Sequence, residues 1–405
     1  MPNLSEPPHR ITAGRRPKST QLGTCPWDRR RTLSGVPEAC DHADSDGVGA
    51  ISRRSALAAA GSAVVGAAVV GTSACSSAES PQSSPALPDN ALITLGVACG
   101  PPPTRNRTGI SSALKIGSDV YVIDCGLGSL NAFTNAGLHF NDVKTMFITH
   151  LHADHIVDFY SFFLSGGFKS PSGRAPVLVY GPGPAGGLPP SEVGNPNPAT
   201  VDPANPAPGL AATTAALHQA FAYTSNIFIR DCGIDNVQDL VKVIEIAVPP
   251  GSDYRNRSPK MDPFQVTSDD NVVVTATLVS HYDVYPAFAL RFDLKQSGVS
   301  ITFSGDTTKS DNLITLAQGC DILVHEAMFS LDTAYYDNVF PPNYLPNSHT
   351  SAEQVGEVAA AADPKQLILS HYAPSDLPDS DWLGKIGKNY SGKTTVAQDG
   401  QVFAL

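Results

Sequence analysis

From about Ala91 onward the chain repeats short runs of β-branched and apolar residues. They fall at 119–128 (DVYVIDCGLG), 144–150 (KTMFITH), 176–183 (PVLVYGPG), 272–281 (VVVTATLVSH), 287–293 (AFALRFD), 299–306 (VSITFSGD), 321–327 (DILVHEA) and 366–372 (QLILSHY). Runs this short, bounded by Gly, Pro and Asp, predict strands. Helical periodicity appears between them: SAEQVGEVAAAA (351–362) follows a Thr/Ser cap signal and stops at Asp363-Pro364. Strands alternating with helices predict a layered α/β domain. Several of the runs end in His, Asp or Gly, at the places where a rigid sheet hands the chain to a loop and where reactive groups collect.

The pattern breaks between Gly181 and Phe264. Residues 181–210 hold nine prolines, which no regular element tolerates. The stretch AALHQAFAYTSNIFIRDCGIDNVQDLVKVI then turns amphipathic and predicts one or two helices. We read 181–264 as an insertion within a domain spanning 91–405 that packs over one face, a lid over the active site ahead of a solvent-exposed decoration.

The first ninety residues read differently. Residues 1–50 are Pro/Arg-rich and aperiodic, either a disordered extension or sequence upstream of a start at Val48. In 51–75, Arg53 and Arg54 precede a small-residue apolar run from Ala56 to Ala74, which resembles a twin-arginine export signal. The run is 19 residues, so an uncleaved membrane anchor is the competing reading. Cys75 resembles a lipoprotein attachment cysteine, and 76–90 a flexible tether. The expectation is export by the twin-arginine machinery, with the mature chain secreted or lipid-anchored at the cell surface.

At 41% hydrophobic the chain can bury a core. Residues 1–76 hold nine of the 27 Lys+Arg and six of the 38 Asp+Glu, leaving 18 bases, 32 acids and a net −14 in the remainder. Neutralising phosphates needs clustered bases, so this acidic body argues against nucleic acid as a partner. Beyond Cys75 the cysteines are Cys99, Cys125, Cys232 and Cys320, with no CxxC spacing. An exported protein could form one disulfide, but Cys125 and Cys320 sit beside strand-like runs and read equally as small buried residues.

The densest chemistry lies in FITHLHADHIVDFY (147–160), where His150, His152, Asp154 and His155 fall within six residues just after a strand. Two histidines two apart in an extended turn can face one cation, and the Asp–His pair beside them a second. Imidazole and carboxylate donors suit zinc, with iron and manganese sharing the chemistry.

This H-x-H-x-D-H arrangement after a strand resembles the signature of the metallo-β-lactamase superfamily. The resemblance implies an αββα sandwich of two mixed sheets flanked by helices, holding two divalent metal ions, zinc first among them. It also implies further ligands at later strand ends: His281 in TLVSH, Asp306 in FSGDT as the bridging carboxylate, and His371 in LILSHY. Asp124, in VIDCG, resembles the family aspartate that orients a ligand histidine.

Within the superfamily the finer likeness is to the tRNase Z and zinc-arylsulfatase branch. LGVACGPPPTRNRTG (95–109) resembles its opening strand and loop, HEAMF (325–329) its His-Glu-Ala-Thr motif and SHTSAEQ (348–354) its His-Ser-Thr motif. On this likeness Glu326 and His349 form a pair that protonates a leaving group, Asp154 orients the attacking water, and His325 is structural. Met328 stands where threonine is usual, and the insertion lacks the basic, Gly-rich character of a tRNA-gripping arm.

The leading expectation is therefore an exported binuclear hydrolase of small ester substrates, phosphodiesters or aryl sulfates. A ribonuclease Z-type tRNA 3′-processing endonuclease and a lactonase or other hydrolase of the same fold are alternatives, followed by a metal-stabilised binding protein without turnover. Related enzymes are often dimers, so the resemblance also implies a homodimer.

Overall fold

The computed structural model describes residues 86–191, 198–336, 338, 341 and 343–405. The twin arginines, the apolar run, Cys75 and most of the tether lie outside the described residues.

Six strands build one side of the domain: β1 (Asn90–Gly96), β2 (Ser111–Ile116), β3 (Asp119–Ile123), β4 (Val143–Phe147), β5 (Val177–Pro182) and β6 (Val241–Ile246). The other side comprises β7 (Phe264–Ser268), β8 (Val272–Leu278), β9 (Phe288–Leu294), β10 (Ser300–Phe303), β11 (Ile322–Met328), β12 (Gln366–Ala373) and β13 (Lys393–Val396). A last strand, β14 (Gln401–Ala404), returns to pair with β1. The first sheet has the order β14-β1-β2-β3-β4-β5-β6, antiparallel as far as β3 and parallel from β3 to β6. The second has the order β13-β12-β11-β10-β9-β8-β7, parallel from β13 to β10 and antiparallel from there to β7. Both sheets are mixed and helices flank them, which is the α/β architecture expected.

The strands look continuously apolar because both faces of each sheet are buried. Alternate residues of β1 show it. Leu92 faces the second sheet, while Ala91, Ile93 and Leu95 face an outer layer. Tyr121 and Ile123 of β3 point inward, Val120 and Val122 outward. Between the sheets Phe147 meets Phe292 edge-on, with centroids 5.1 Å apart.

Two helices, α1 (Ser129–Asn135) and α3 (Phe159–Leu164), supply Phe133, Phe159, Phe162 and Phe163 to the outer layer of the first sheet; the short α2 (Ala153–Ile156) lies between them in the chain. On the second sheet, α6 (Asp311–Ala317), α8 (Ala352–Ala362) and α9 (Asp379–Ile386) bury Leu313, Val355, Val358 and Trp382. α8 begins with a reciprocal capping box between Ser351 and Gln354 and ends at Asp363 in the left-handed region, one residue before Pro364. Such a cap contributes about 1 kcal/mol.

The stretch 181–264 departs from its expectation. α4 (Leu210–Ala220) and α5 (Ala222–Ile227) are helical. The last residues of the stretch read as one or two helices, Val241–Ile244, belong instead to strand β6, parallel to β5. Its valines 241 and 243 pack outward while Ile244 and Ile246 pack inward, the period of two that a strand requires. The helices pack on the outer layer of the first sheet. Leu210 and Leu217 join the outer-layer cluster of Phe162 and Phe163, and the Tyr160 hydroxyl lies 2.5 Å from His218 Nδ1.

Candidate metal centre

In the second sheet, β8, β10, β11 and β12 run in one direction, because two antiparallel steps separate β8 from β10. Their carboxyl-terminal ends therefore share an edge. His281 follows β8, Asp306 follows β10, Glu326 lies in the second half of β11 and His371 near the end of β12. From the parallel half of the first sheet, Asp124 follows β3, His150 follows β4, and His152, Asp154 and His155 sit at and within α2.

Backbone irregularities turn these side chains inward. Asp124 and His371 have φ of 57° and 52°, uncommon for residues bearing a Cβ. His371 sits where the pairing of β11 with β12 slips, and such a bulge re-aims a side chain. Gly305, φ 57°, lets the chain pass where a Cβ would come within 2.4 Å of the Phe288 carbonyl oxygen.

The donors converge. His150, His152 and His281 have ligand atoms within 4.8 Å of one another, as do Asp154, His155 and His371. Asp306 stands between the groups, with carboxylate oxygens 3.4 Å from His155 Nε2, 3.6 Å from His281 Nε2, 3.3 Å from His371 Nδ1 and 4.0 Å from His150 Nε2. Among the described residues, His150 Nε2, His155 Nε2, His371 Nδ1, Asp154 Oδ1 and Asp306 Oδ1 are buried without a hydrogen bond. Unsatisfied donors and acceptors packed this densely are costly unless something binds them. Nitrogen and carboxylate oxygen in this proportion fit divalent cations.

Neighbours fix the ring orientations. His281 Nδ1 donates to the Ser348 carbonyl at 2.7 Å, leaving Nε2 for a ligand. His155 Nδ1 donates to Asp124 Oδ2 at 2.9 Å. Asp124 is held in turn by the Thr149 amide and hydroxyl, both at 2.8 Å. Asp124 thus orients a donor and does not reach the cluster itself, the arrangement that raises ligand basicity. Asp124→Asn is expected to leave the fold intact and weaken metal binding roughly 10- to 100-fold. Chelator competition with metal quantified by mass spectrometry would measure this, and wild-type affinity would remove Asp124 from that role.

Burial holds His150 and His152 below the ordinary imidazole range and pushes His281 down to about 3. Neutral rings keep their lone pairs available for a metal. For Asp154 burial acts upward, yet His155 and His371 outweigh it and keep the carboxyl ionised. Asp306 is depressed in the same way, chiefly by His371 and His155 against its burial.

At the edge of the cluster, His349 follows the short α7 (Tyr344–Ser348) and its Nδ1 lies 3.3 Å from Glu326 Oε2. The other oxygen, Oε1, accepts from the Thr350 amide at 3.0 Å and the Thr307 amide at 3.3 Å, so the carboxylate cannot swing. Burial opposes a charge on His349, but Glu326, Asp306 and Asp154 together raise its pKa. His349 lies within reach of His281 and Asp306. His325 points elsewhere: its Nδ1 meets the Glu326 carbonyl oxygen at 2.6 Å.

The candidate ligands His150, His152, Asp154, His155, His281, Asp306 and His371 thus come together at this edge, with Asp124, Glu326 and His349 beside them and His325 turned away. Three contributors were not singled out. Thr149, the residue before His150, anchors Asp124, and adjacency to the motif was its only signal. Ser348 acts through its carbonyl, which no side-chain pattern reveals. The Tyr344 ring lies against Tyr282, tilted by 53° with centroids 4.8 Å apart, and burial together with Asp306 pushes its phenol up to about 12. The four cysteines among the described residues are free, with Cys125 and Cys320 buried.

A family model for the anti-Pycsar protein Apyc1 matches residues 104–180, and a β-lactamase superfamily domain model matches residues 232–372. The chain is 25% identical over 313 residues to a ribonuclease Z of Mycobacterium avium (strain 104), covering 76% of this chain and 95% of that protein. It is 29% identical over 333 residues to a ribonuclease Z of Synechococcus sp. (strain CC9311), covering 75% and 95%. Among solved structures, the metallo-β-lactamase fold protein YhfI of Bacillus subtilis superimposes with a TM-score of 0.51 at 16% identity, covering 78% of this chain and 99% of that one. The short form of human tRNase Z gives 0.50 at 19%, covering 78% and 98%.

Proposed function

We propose, for a chain that carries a metallo-β-lactamase superfamily domain and is a metal-dependent hydrolase, that it cleaves esters of an acidic group, a phosphodiester or an aryl sulfate, outside the cytoplasm. The observation that carries this reading is the Glu326–His349 pair at the rim of the cluster. A buried, carboxylate-supported imidazolium there can hand a proton to a departing oxygen.

His150, His152 and His281 would hold one cation, and Asp154, His155 and His371 another, with Asp306 between them. Divalent ions bound there, zinc by donor chemistry, would supply charge neutralisation and a lowered pKa for water. Asp154 orients the attacking water through its second oxygen. The neutral rings of His150, His152 and His281 keep that region free of competing positive charge. Protonated, His349 gives its Nδ1–H to Glu326 and keeps the Nε2–H to hand to the departing oxygen.

A second reading is RNA processing. The charge of the body argued against nucleic acid, but relatives named ribonuclease Z span three quarters of the chain and bring RNA back as a candidate substrate. Export rests on Arg53, Arg54 and the run to Ala74. The deciding assay compares bis(p-nitrophenyl) phosphate, p-nitrophenyl sulfate and a precursor tRNA with metal-loaded protein at physiological salt, alongside fractionation of the producing cells. Small-ester turnover without tRNA cleavage, from protein beyond the cytoplasmic membrane, is the expected result. Position-specific tRNA cleavage by cytoplasmic protein would overturn it.

A further inference from the structure

His349 is built like a ligand. Three buried histidines at this edge have Nδ1 tied to an oxygen, which leaves Nε2 as the atom free to bind a cation. His155 gives Nδ1 to Asp124 at 2.9 Å, His281 to the Ser348 carbonyl at 2.7 Å, and His349 to Glu326 at 3.3 Å. A carboxylate behind an imidazole is the support that metal-binding histidines carry, and the Glu326–His349 pair repeats the Asp124–His155 pair.

The ring placements agree. Around His281 the centroid of His150 lies 4.8 Å away, that of His152 4.9 Å and that of His349 5.0 Å, with interplanar angles of 69°, 76° and 68°. His349 thus stands to His281 as the two motif histidines do. Ligand atoms of His281, Asp306 and His349 lie within 4.8 Å of one another, the same span that gathers His150, His152 and His281. His281, Asp306 and His349 are all buried.

Counting lone pairs shows how the two donor sets are related. With Nδ1 donating to Ser348, His281 has one nitrogen left and serves one cation at a time. Asp306 is not limited in this way: its Oδ2 lies 3.6 Å from His281 Nε2 while its Oδ1 lies 3.4 Å from His155 Nε2. Two imidazoles and a carboxylate with a fourth position open form a set that zinc accepts. The two sets that share His281 are therefore alternatives for one cation, not places for two.

We propose that the cation held by His150, His152 and His281 has a second seat at the rim, formed by His281, Asp306 and His349. It rests on the metal-binding part of the reading above, and on neither the ester nor the proton transfer. With the cation at the rim, His349 is a ligand and has no Nε2 proton to give, so this seat is an idle form of the same centre.

Native mass spectrometry of the full-length, zinc-loaded chain counts the cations directly. Wild type is expected to hold two. His152→Ala and His349→Ala are each expected to hold two as well, because the seat that remains intact takes the cation. His152→Ala combined with His349→Ala is expected to hold one, bound by Asp154, His155 and His371. Wild type or either single variant with fewer than two overturns the proposal, as does a double variant that keeps two. Should the double variant hold none, ligation is read in wild type and His152→Ala, with cadmium as a nuclear-spin probe and isotopically labelled histidine. One-bond coupling between cadmium and a His349 nitrogen in either protein supports the rim seat, and its absence from both overturns it. Hydrolysis is not read in these measurements, so a failed ester assay leaves their outcome untouched.

Discussion

A chain carrying His152→Ala together with Asp306→Ala is expected to fold and to hydrolyse no ester above background. Asp306 faces four of the five cluster histidines at 3.3–4.0 Å, and His152 Nδ1 lies 3.1 Å from His281 Nε2. Their loss removes a donor from one group and the carboxylate shared by both. The fold does not depend on them, because the two sheets meet through Phe147, Phe292, Leu92 and Val274, and the outer layers are closed by helices. Retained far-ultraviolet circular dichroism with metal content near zero and no turnover is the expected outcome. Wild-type turnover in the double variant would sink a metal mechanism.

That result would test residues of unequal legibility. His150, His152, Asp154 and His155 were readable because a turn after a strand brings sequence neighbours to one point. His281, Asp306 and His371 are remote in sequence. Each was found because it ends a β-branched run, and because the order of such endings resembled a family. Neither signal predicts the bulge in β12 or the left-handed backbone at His371 and Asp124. Those are tertiary consequences, imposed where two sheets must place side chains on one centre.

The misses share one cause. In β6, Val241–Ile244 closes the amphipathic segment without a Pro or Gly break after Gly233, so the local pattern extends the helix. Pairing with β5 decides otherwise, and pairing over such a separation leaves no local trace. The same holds for α4. An amphipathic helix announces that it has an apolar face, but not which surface covers it, and Leu210 chose the outer layer near Phe162. Asp399 is the extreme case: its carboxylate anchors a loop some 300 residues earlier, at Val97 and Thr108.

Glu326→Gln is expected to slow alkyl esters roughly 10²- to 10⁴-fold, the span of general-acid catalysis, and nitrophenyl esters far less. The amide oxygen of glutamine can still accept from the Thr350 and Thr307 amides, so the strand and its loop keep their places. What disappears is the negative charge 3.3 Å from His349 Nδ1. Burial alone would push the His349 pKa down, and Glu326 leads the carboxylates that raise it. His349 acts in its protonated form, so activity is present below its pKa and lost as pH rises through it. Without Glu326 that pKa falls, and the alkaline limb of kcat/KM should move to lower pH. A nitrophenolate departs without a proton, so its rate at the optimum feels the change least. Equal losses on both substrate classes with an unmoved alkaline limb would assign Glu326 to holding Thr307 and Thr350 in place, and proton delivery would have to come from another group.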